Sequence, residues 1–460
     1  NRSKAIPYVS KVIQRMRKVY VVTIEQVKDY AFGHPSDTRL HTNFFIPGRS
    51  LNGAIQGDKV LVELKSWDSQ DDAPLGHVVK VLGQEGDNDV EMHAILAEYG
   101  LPLEFPPEVE QEAKQFTPSA KSKAGLDKKE IAKRRDMRDV LTMTIDPVDA
   151  KDFDDALSLK KLKNENFEVG IHIADVSYYV KPGSAIDDEA ISRATSVYLV
   201  DRTIPMLPEV LSNDLCSLRP NEDKFAFSAV FEMDEDANVI NEWFGRTVIH
   251  SDRRFAYEDA QVRLETGEGD LADELALMFK LATKLRENRF ENGGIDFNTE
   301  EVRFELDKSG KPLRVVIKRM RESNKLIEDF MLLANVRVAR FLAKVHPEKK
   351  TPTRTSIYRV HDNPDPEKLQ ALRVFVRRFG HEMPKPQKGN AEALIRDLLK
   401  ATAGTPEEGT VKTMAIRSMA KAEYSSTNIG HYGLSFPYYT HFTSPIRRYP
   451  DVIVHRLLQH

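Results

Sequence analysis

Cysteine is all but missing: Cys216 is the single one in 460 residues. That excludes an internal disulfide and any zinc site built on several cysteines. Tryptophan occurs only twice. No run approaches the ~20 consecutive apolar residues of a membrane span, and no charged-then-apolar leader opens the chain. With 40% hydrophobic and 30% charged residues, these absences imply a soluble globular protein of a reducing, cytoplasmic compartment, with room for two or more domains. Neither a Gly-x-Gly-x-x-Gly fingerprint nor a P-loop is present, so no small-molecule cofactor is expected. Charge of one sign is also lacking. The net value of −4 argues weakly against a nucleic-acid partner. Yet basic residues cluster at Arg15–Lys18, Lys128–Arg138, Arg373–Arg378 and Arg447-Arg448, and such clusters can guide a polyanion whatever the total. Each cluster taken singly also reads as a solvated face. The chain opens on Asn1 and stops at His460 within an apparent helix, which reads as a fragment.

What the chain does hold is acid in one place. Thr144-Ile145-Asp146-Pro147-Val148-Asp149-Ala150-Lys151-Asp152-Phe153-Asp154-Asp155 packs five aspartates into twelve residues against one lysine. Four of them, Asp146, Asp152, Asp154 and Asp155, fall at the ends of two expected strands. Carboxylates this close take up protons unless a cation sits among them. An all-oxygen set points to a hard ion, Mg²⁺ or Mn²⁺, and such ions serve phosphodiester chemistry. Aspartate-rich loops are also often only solvated turns. An EF-hand is excluded, because it needs glycine at its sixth position and glutamate at its twelfth. Counting from Asp146 gives Lys151 and Leu157, and from Asp149 gives Asp154 and Lys160.

Along the chain, residues 19–83 read as a five-stranded OB-type barrel. Its strand signals are Val19–Ile24, Asn43–Ile46, Lys59–Leu64 and Gly76–Leu82. Residues 1–18 read as the remnant of a preceding barrel, and 84–138 as a polar connector with a helix-prone basic run. Strands are expected at Val140–Asp146, Asp155–Leu162 and Phe167–Val180. Hairpins are expected across 234–238 and 308–311. Amphipathic helices follow at Leu271–Glu291, Leu326–Val345 and Glu392–Lys400. Strands first and helices later indicate an α+β body over 139–460, a mixed sheet surrounded by helices.

Taken in order, these residues resemble the ribonuclease II/ribonuclease R (RNB) exoribonucleases. The likeness runs from Thr144–Asp155 through Ile173–Val180, Thr195–Tyr198, Ile204–Asn213 and Gly293–Phe297. It continues over Lys325–Glu328, Arg359–Asp362 and His441–Asp451. Several blocks look closer to the ribonuclease R branch. Pro147 departs from the glycine often found there, though proline also suits a turn. The resemblance implies an RNB-type catalytic domain, truncated at its C-terminal end, behind a cold-shock-like barrel that guides RNA through Phe44, Phe45 and nearby basic residues. It implies a monomer that degrades single-stranded RNA processively from the 3′ end to nucleoside 5′-monophosphates. Asp146, Asp152, Asp154 and Asp155 would hold Mg²⁺, with Asp154 also orienting the attacking water. Arg447 would grip the scissile phosphate, and Arg448 would pair with an acidic neighbour. Tyr198 and Phe297 would clamp the last bases, with Glu328 and Asn335 touching the terminal nucleotide. Asp149 reads as a turn residue, and His172, His361, His441 and His455 as structural. The alternative is a catalytically silent RNA-binding protein on the same fold.

Overall fold

The computed structural model describes residues 13–459 apart from 16, 68–72, 103, 117–125, 296–300, 308–309, 344–354 and 386–390. Most of the expected barrel remnant, Phe297, and part of the turn at 308–311 lie outside the described residues. The chain divides into two units. One comprises residues up to Phe105 with Glu305–Arg314, the other Pro106–Phe304 with Val315 onward. No helix among the described residues is long and apolar enough to cross a membrane.

In the first unit, period-two alternation builds a closed barrel. Strands β1 (Val19–Val27), β2 (Tyr30–Pro35), β3 (Phe44–Pro47), β4 (Asp58–Ser66) and β5 (Leu75–Gln84) lie in the order β1-β2-β3-β5-β4. Strand β2 carries no sequence signal of its own. It is fixed by a tight turn that faces Val27 with Tyr30, where Lys28 takes a positive φ of 49°. Val22, Ile24, Phe44, Ile46, Val60 and Val62 fill the interior. A Cβ on Gly33 would stand 2.7 Å from Val22 Cγ2, so the strands approach there only with glycine. Phe44 is therefore core, not an exposed guide. Its neighbour Phe45 points outward and groups with Tyr30 and Phe32, at ring distances of 5.4 and 6.3 Å.

The stretch expected as a polar connector is structured. Asp87 caps helix α1 (Asn88–Glu98) by accepting from the Asp89 and Val90 amides. Within the second unit, α2 (Pro107–Lys114) and α3 (Lys128–Ile131) lead into β6 (Arg135–Asp136). That strand joins a sheet with β7 (Thr142–Asp146), β8 (Asp155–Lys161), β9 (Phe167–Ala174), β12 (Asp223–Met233), β13 (Val239–His250) and β14 (Arg253–Ala256). A two-stranded ribbon, β10 (Val197–Tyr198) with β11 (Thr203–Ile204), stands apart from it. The sheet order is β14-β7-β8-β9-β12-β13-β6, antiparallel within and parallel at both edges. Strand β9 stops at Ala174, not Val180. Asp175 caps a short helix α4 (Val176–Tyr179), its carboxylate accepting from the Tyr178 amide at 3.1 Å. The same carboxylate, fully buried, is ion-paired to Arg134 at 2.8 Å and Arg246 at 3.0 Å. Arg134 also lies over the Phe225 ring at 4.1 Å.

Helices α5 (Ala185–Arg193), α6 (Tyr257–Thr266), α7 (Ala272–Glu291) and α8 (Glu322–Leu342) follow. From α7 and α8, Leu275, Met278, Leu281, Phe330 and Val338 meet Ile171 and Phe227 of the sheet in the main core. Helices α9 (Pro366–Val376), α10 (Ala391–Thr402) and α11 (Glu408–Ser418) share a separate core. Helix α12 (Tyr449–Gln459) ends the described chain.

The four singled-out histidines are all engaged by the protein. His361 bonds the Ala420 carbonyl, His441 the Tyr424 hydroxyl and His455 the Phe442 carbonyl. His172 lies between the Ser228 and Ser158 hydroxyls at 2.7 and 2.8 Å. Burial pushes its pKa from 6.5 down to about 3. Between those values the unfolded chain binds a proton that the folded chain refuses. Stability is therefore lost as pH falls through that window, at up to about 1.4 kcal/mol per pH unit. His172→Gln keeps a hydrogen-bonding side chain without the titration. Its melting temperature is expected to fall less than the native one between pH 7 and 5, and parallel melting curves would refute the assignment.

Candidate catalytic centre

Two neighbouring strand ends bring the acidic segment together. Asp146 closes β7 and Asp155 opens β8, and the loop between them carries Asp152 and Asp154. The loop starts as a turn, with the Ala150 amide bonded to the Pro147 carbonyl at 3.1 Å, as a proline there allows. Ser217 fastens its far side, donating to the Lys151 carbonyl and accepting from the Phe153 amide. Asp149 points away, exposed, and pairs with Arg303 at 3.2 Å.

Burial sets the electrostatics. It pushes Asp146 well above the usual carboxylate range, with Asp155 raising it further. Asp154 is likewise raised by burial, against the pull of Arg447. Asp155 is pushed up to about 6 by burial, and Asp152 is raised for the same reason. Burial thus favours protons on these carboxyls despite Arg447 and Arg254 nearby, unless a cation sits among them. Asp146 Oδ2 is buried without a hydrogen-bond partner. Among the described residues no three or more His, Cys, Asp or Glu side chains stand together at ligand spacing, so the carboxylates do not form a closed shell. An orphaned buried oxygen and an all-carboxylate donor set nonetheless fit a hard divalent cation.

The opposite wall comes from the far end of the chain. Ser444 through Arg448 make a turn into α12, held by Asp451, which accepts from the Ser444 amide at 2.8 Å. Both Arg448 contacts go to that same carboxylate, at 2.8 and 3.0 Å, so Arg448 is a brace. Asp154 receives the Ile446 amide at 2.9 Å and faces Arg447 Nε at 3.6 Å. The Arg447 carbonyl accepts from the Ser196 amide at 3.0 Å and the Thr195 hydroxyl at 2.9 Å. Those bonds fix the start of β10, where Tyr198 stands half-exposed with its hydroxyl end against Asp152. Burial of that end, with the Asp152 charge, pushes the hydroxyl pKa up to about 12.

Glu328 is exposed on α8, with Arg289 at 3.9 Å. Asn335 is buried, and its carboxamide is taken up by the Phe442 amide at 2.8 Å and the Tyr439 hydroxyl at 3.4 Å. It supports the segment leading to Arg447 instead of facing an open site. Sequence reading also passes over two residues on or beside β14. Arg254 donates to the Pro147 and Val148 carbonyls, both at 2.8 Å, and so clamps the aspartate loop. Tyr257 opens α6. Burial, then the charges of Asp155 and Asp146, hold its hydroxyl neutral, which sets it beside those carboxylates. Parallel pairing of β14 with β7 places both, and no spacing in the sequence signals that pairing.

A mixed sheet with carboxylates at one end, an arginine turn and an aromatic beside them defines a class, and comparison agrees. The RNB domain model matches residues 134–460, and a cold shock domain model matches 32–106. The chain belongs to the RNB family. It is 38% identical to the ribonuclease R of Thermotoga maritima over 459 residues, 98% of this chain but only 63% of that protein. Among solved structures it matches Mycoplasma genitalium RNase R in complex with double-stranded RNA. That match has TM-score 0.89 and 28% identity, and covers 98% of this chain and 79% of that one. Yeast Ssd1, a pseudonuclease, shares the fold at TM-score 0.74 and 19% identity, over 97% of this chain and 55% of that one.

Proposed function

We propose that the chain carries the catalytic centre of a metal-dependent, processive 3′→5′ exoribonuclease that releases nucleoside 5′-monophosphates from single-stranded RNA. The observation that carries this reading is the meeting of Asp154 with Arg447, 3.6 Å apart, beside Tyr198. Asp146, Asp152, Asp154 and Asp155 would hold Mg²⁺, or Mn²⁺, which when bound polarises a phosphate oxygen and supplies a nucleophilic water. Arg447, about half-exposed and aimed by the Asp451 brace, offers a guanidinium to the scissile phosphate. Tyr198 presents a ring on which any base can stack, as a non-specific degrader requires. Phe297 is assigned as its partner and Glu328 as a contact of the terminal nucleotide. The outward Tyr30, Phe32 and Phe45 group, in place of Phe44, suits single-stranded RNA on the barrel. A reducing, cytoplasmic location fits the near-absence of cysteine. A fold shared with a pseudonuclease does not by itself imply cleavage, so the reading rests on the site residues.

The test uses 5′-labelled single-stranded RNA, the same RNA blocked at its 3′ end, and DNA, each with Mg²⁺ or EDTA. Stepwise shortening of the unblocked RNA alone, abolished by EDTA, is the expected result. RNA binding without cleavage under any divalent ion would instead establish the silent binder.

A further inference from the structure

A cavity reaches the far end of the sheet from the aspartates. Asp155 faces Ile173, and Ile173 faces Phe227. The cavity instead borders Val239, which pairs with Met233. Phe227 and Met233 are about six residues apart along β12, or ~20 Å. The cavity has a volume of about 830 Å³ and lies among α7, α8, the turn between β12 and β13, and residues 435–437. Neither the four carboxylates nor Arg447 lines it, and Glu328, proposed above as a contact of the terminal nucleotide, stands at its edge beside Arg289.

Its polar wall is cationic. Arg289, Arg337 and Arg340 line it, and Arg286 stands behind. Asp329, the carboxylate in the wall, is bonded to Arg286 at 2.9 Å. Arg289 is left with carboxylates only at 3.8 and 3.9 Å, beyond hydrogen-bond length. Its Nε is buried with no hydrogen-bond partner. Glu242 holds Arg337 at 3.3 Å, while burial and the nearby charge of Arg340 both oppose its protonation. At the cavity wall itself, three guanidiniums, Arg289, Arg337 and Arg340, thus stand against one carboxylate, Asp329, which Arg286 already holds. An anion would relieve that imbalance. A bare phosphate would leave most of the space empty. The rest of the lining is mixed: Leu285, Leu333 and Val336 are apolar and Asn288, Asn292 and Ser435 polar, with Phe436 at one side. A volume in the usual range of small-molecule sites, with cations at one wall and an aromatic at another, suits a phosphate ester carrying a flat base.

We propose that this cavity binds a nucleoside 5′-monophosphate, its phosphate on Arg289, Arg337 and Arg340 and its base against Phe436. The inference is drawn from the cavity alone and stands whether or not the chain cleaves RNA.

Calorimetric titration of the chain in EDTA with AMP, adenosine and inorganic phosphate tests it without turnover. Saturable AMP binding is expected, with adenosine and phosphate each weaker by about tenfold or more. Arg337→Met and, separately, the more exposed Arg340→Met are each expected to weaken AMP by about tenfold. Their melting curves establish that they fold. Asp154→Asn should bind AMP as the native chain does. No saturable AMP binding, or adenosine binding as tightly as AMP, would overturn the proposal. So would loss of AMP binding in Asp154→Asn with retention in both arginine variants, which would put AMP among the carboxylates.

Discussion

Asp154→Asn is expected to slow RNA shortening by on the order of a thousandfold, through loss of charge stabilisation at the reacting phosphate. Single-stranded RNA affinity should change little. The substituted carboxamide can still accept the Ile446 amide through its own oxygen, the bond now made at 2.9 Å, so the arginine turn stays in place. What the substitution removes is the negative charge facing Arg447 and one oxygen donor for a cation. Single-turnover rates and equilibrium RNA binding, measured on the same preparation, check both halves. A fall in affinity that tracks the fall in rate would assign Asp154 to holding RNA, and a rate loss below about tenfold would remove it from the chemistry.

Arg134→Met is expected to cost about 3–5 kcal/mol of folding stability, because it strips a buried carboxylate of its closest cation. Arg134 and Asp175 have no side-chain exposure and stand 2.8 Å apart. Burial works to raise the Asp175 pKa, yet Arg134 and then Arg246 outweigh it and hold the carboxylate below its usual range. Without Arg134, Arg246 at 3.0 Å is the one arginine or lysine left paired to that charge among the described residues. Denaturant unfolding measures the loss, and adding Asp175→Asn to the variant should recover part of it. A cost below about 1 kcal/mol would mean that Arg246 alone suffices.

Much of the centre was legible in the sequence because its parts are local: five aspartates in one short segment, and a Ser-Pro-Ile-Arg-Arg turn. Strand alternation likewise revealed four of the five barrel strands. What escaped depends on partners far along the chain. Arg134 read as one residue of a solvated basic run, because its buried carboxylate, Asp175, lies far along the chain, at the cap that also ends β9 early. Phe44 and Phe45 are indistinguishable as letters, and only the pleat of β3 separates core from surface. Arg254 and Tyr257 are placed by parallel strand pairing, which leaves no periodic trace. Asn335 sits at helical spacing from Glu328, but the 439–442 segment takes up its carboxamide from outside that helix.

The bond from the Ile446 amide to Asp154 joins residues 292 positions apart. Contacts of such sequence separation form late, because the intervening chain must first lose its freedom. A refolding molecule can therefore possess its sheet and its cluster of carboxylates well before the arginine arrives. On dilution from denaturant, recovery of the proposed RNA-shortening activity should lag behind recovery of secondary structure. The unfinished molecule is thereby disarmed, since the acidic half of the centre exists for a time without the half that would hold a phosphate in place.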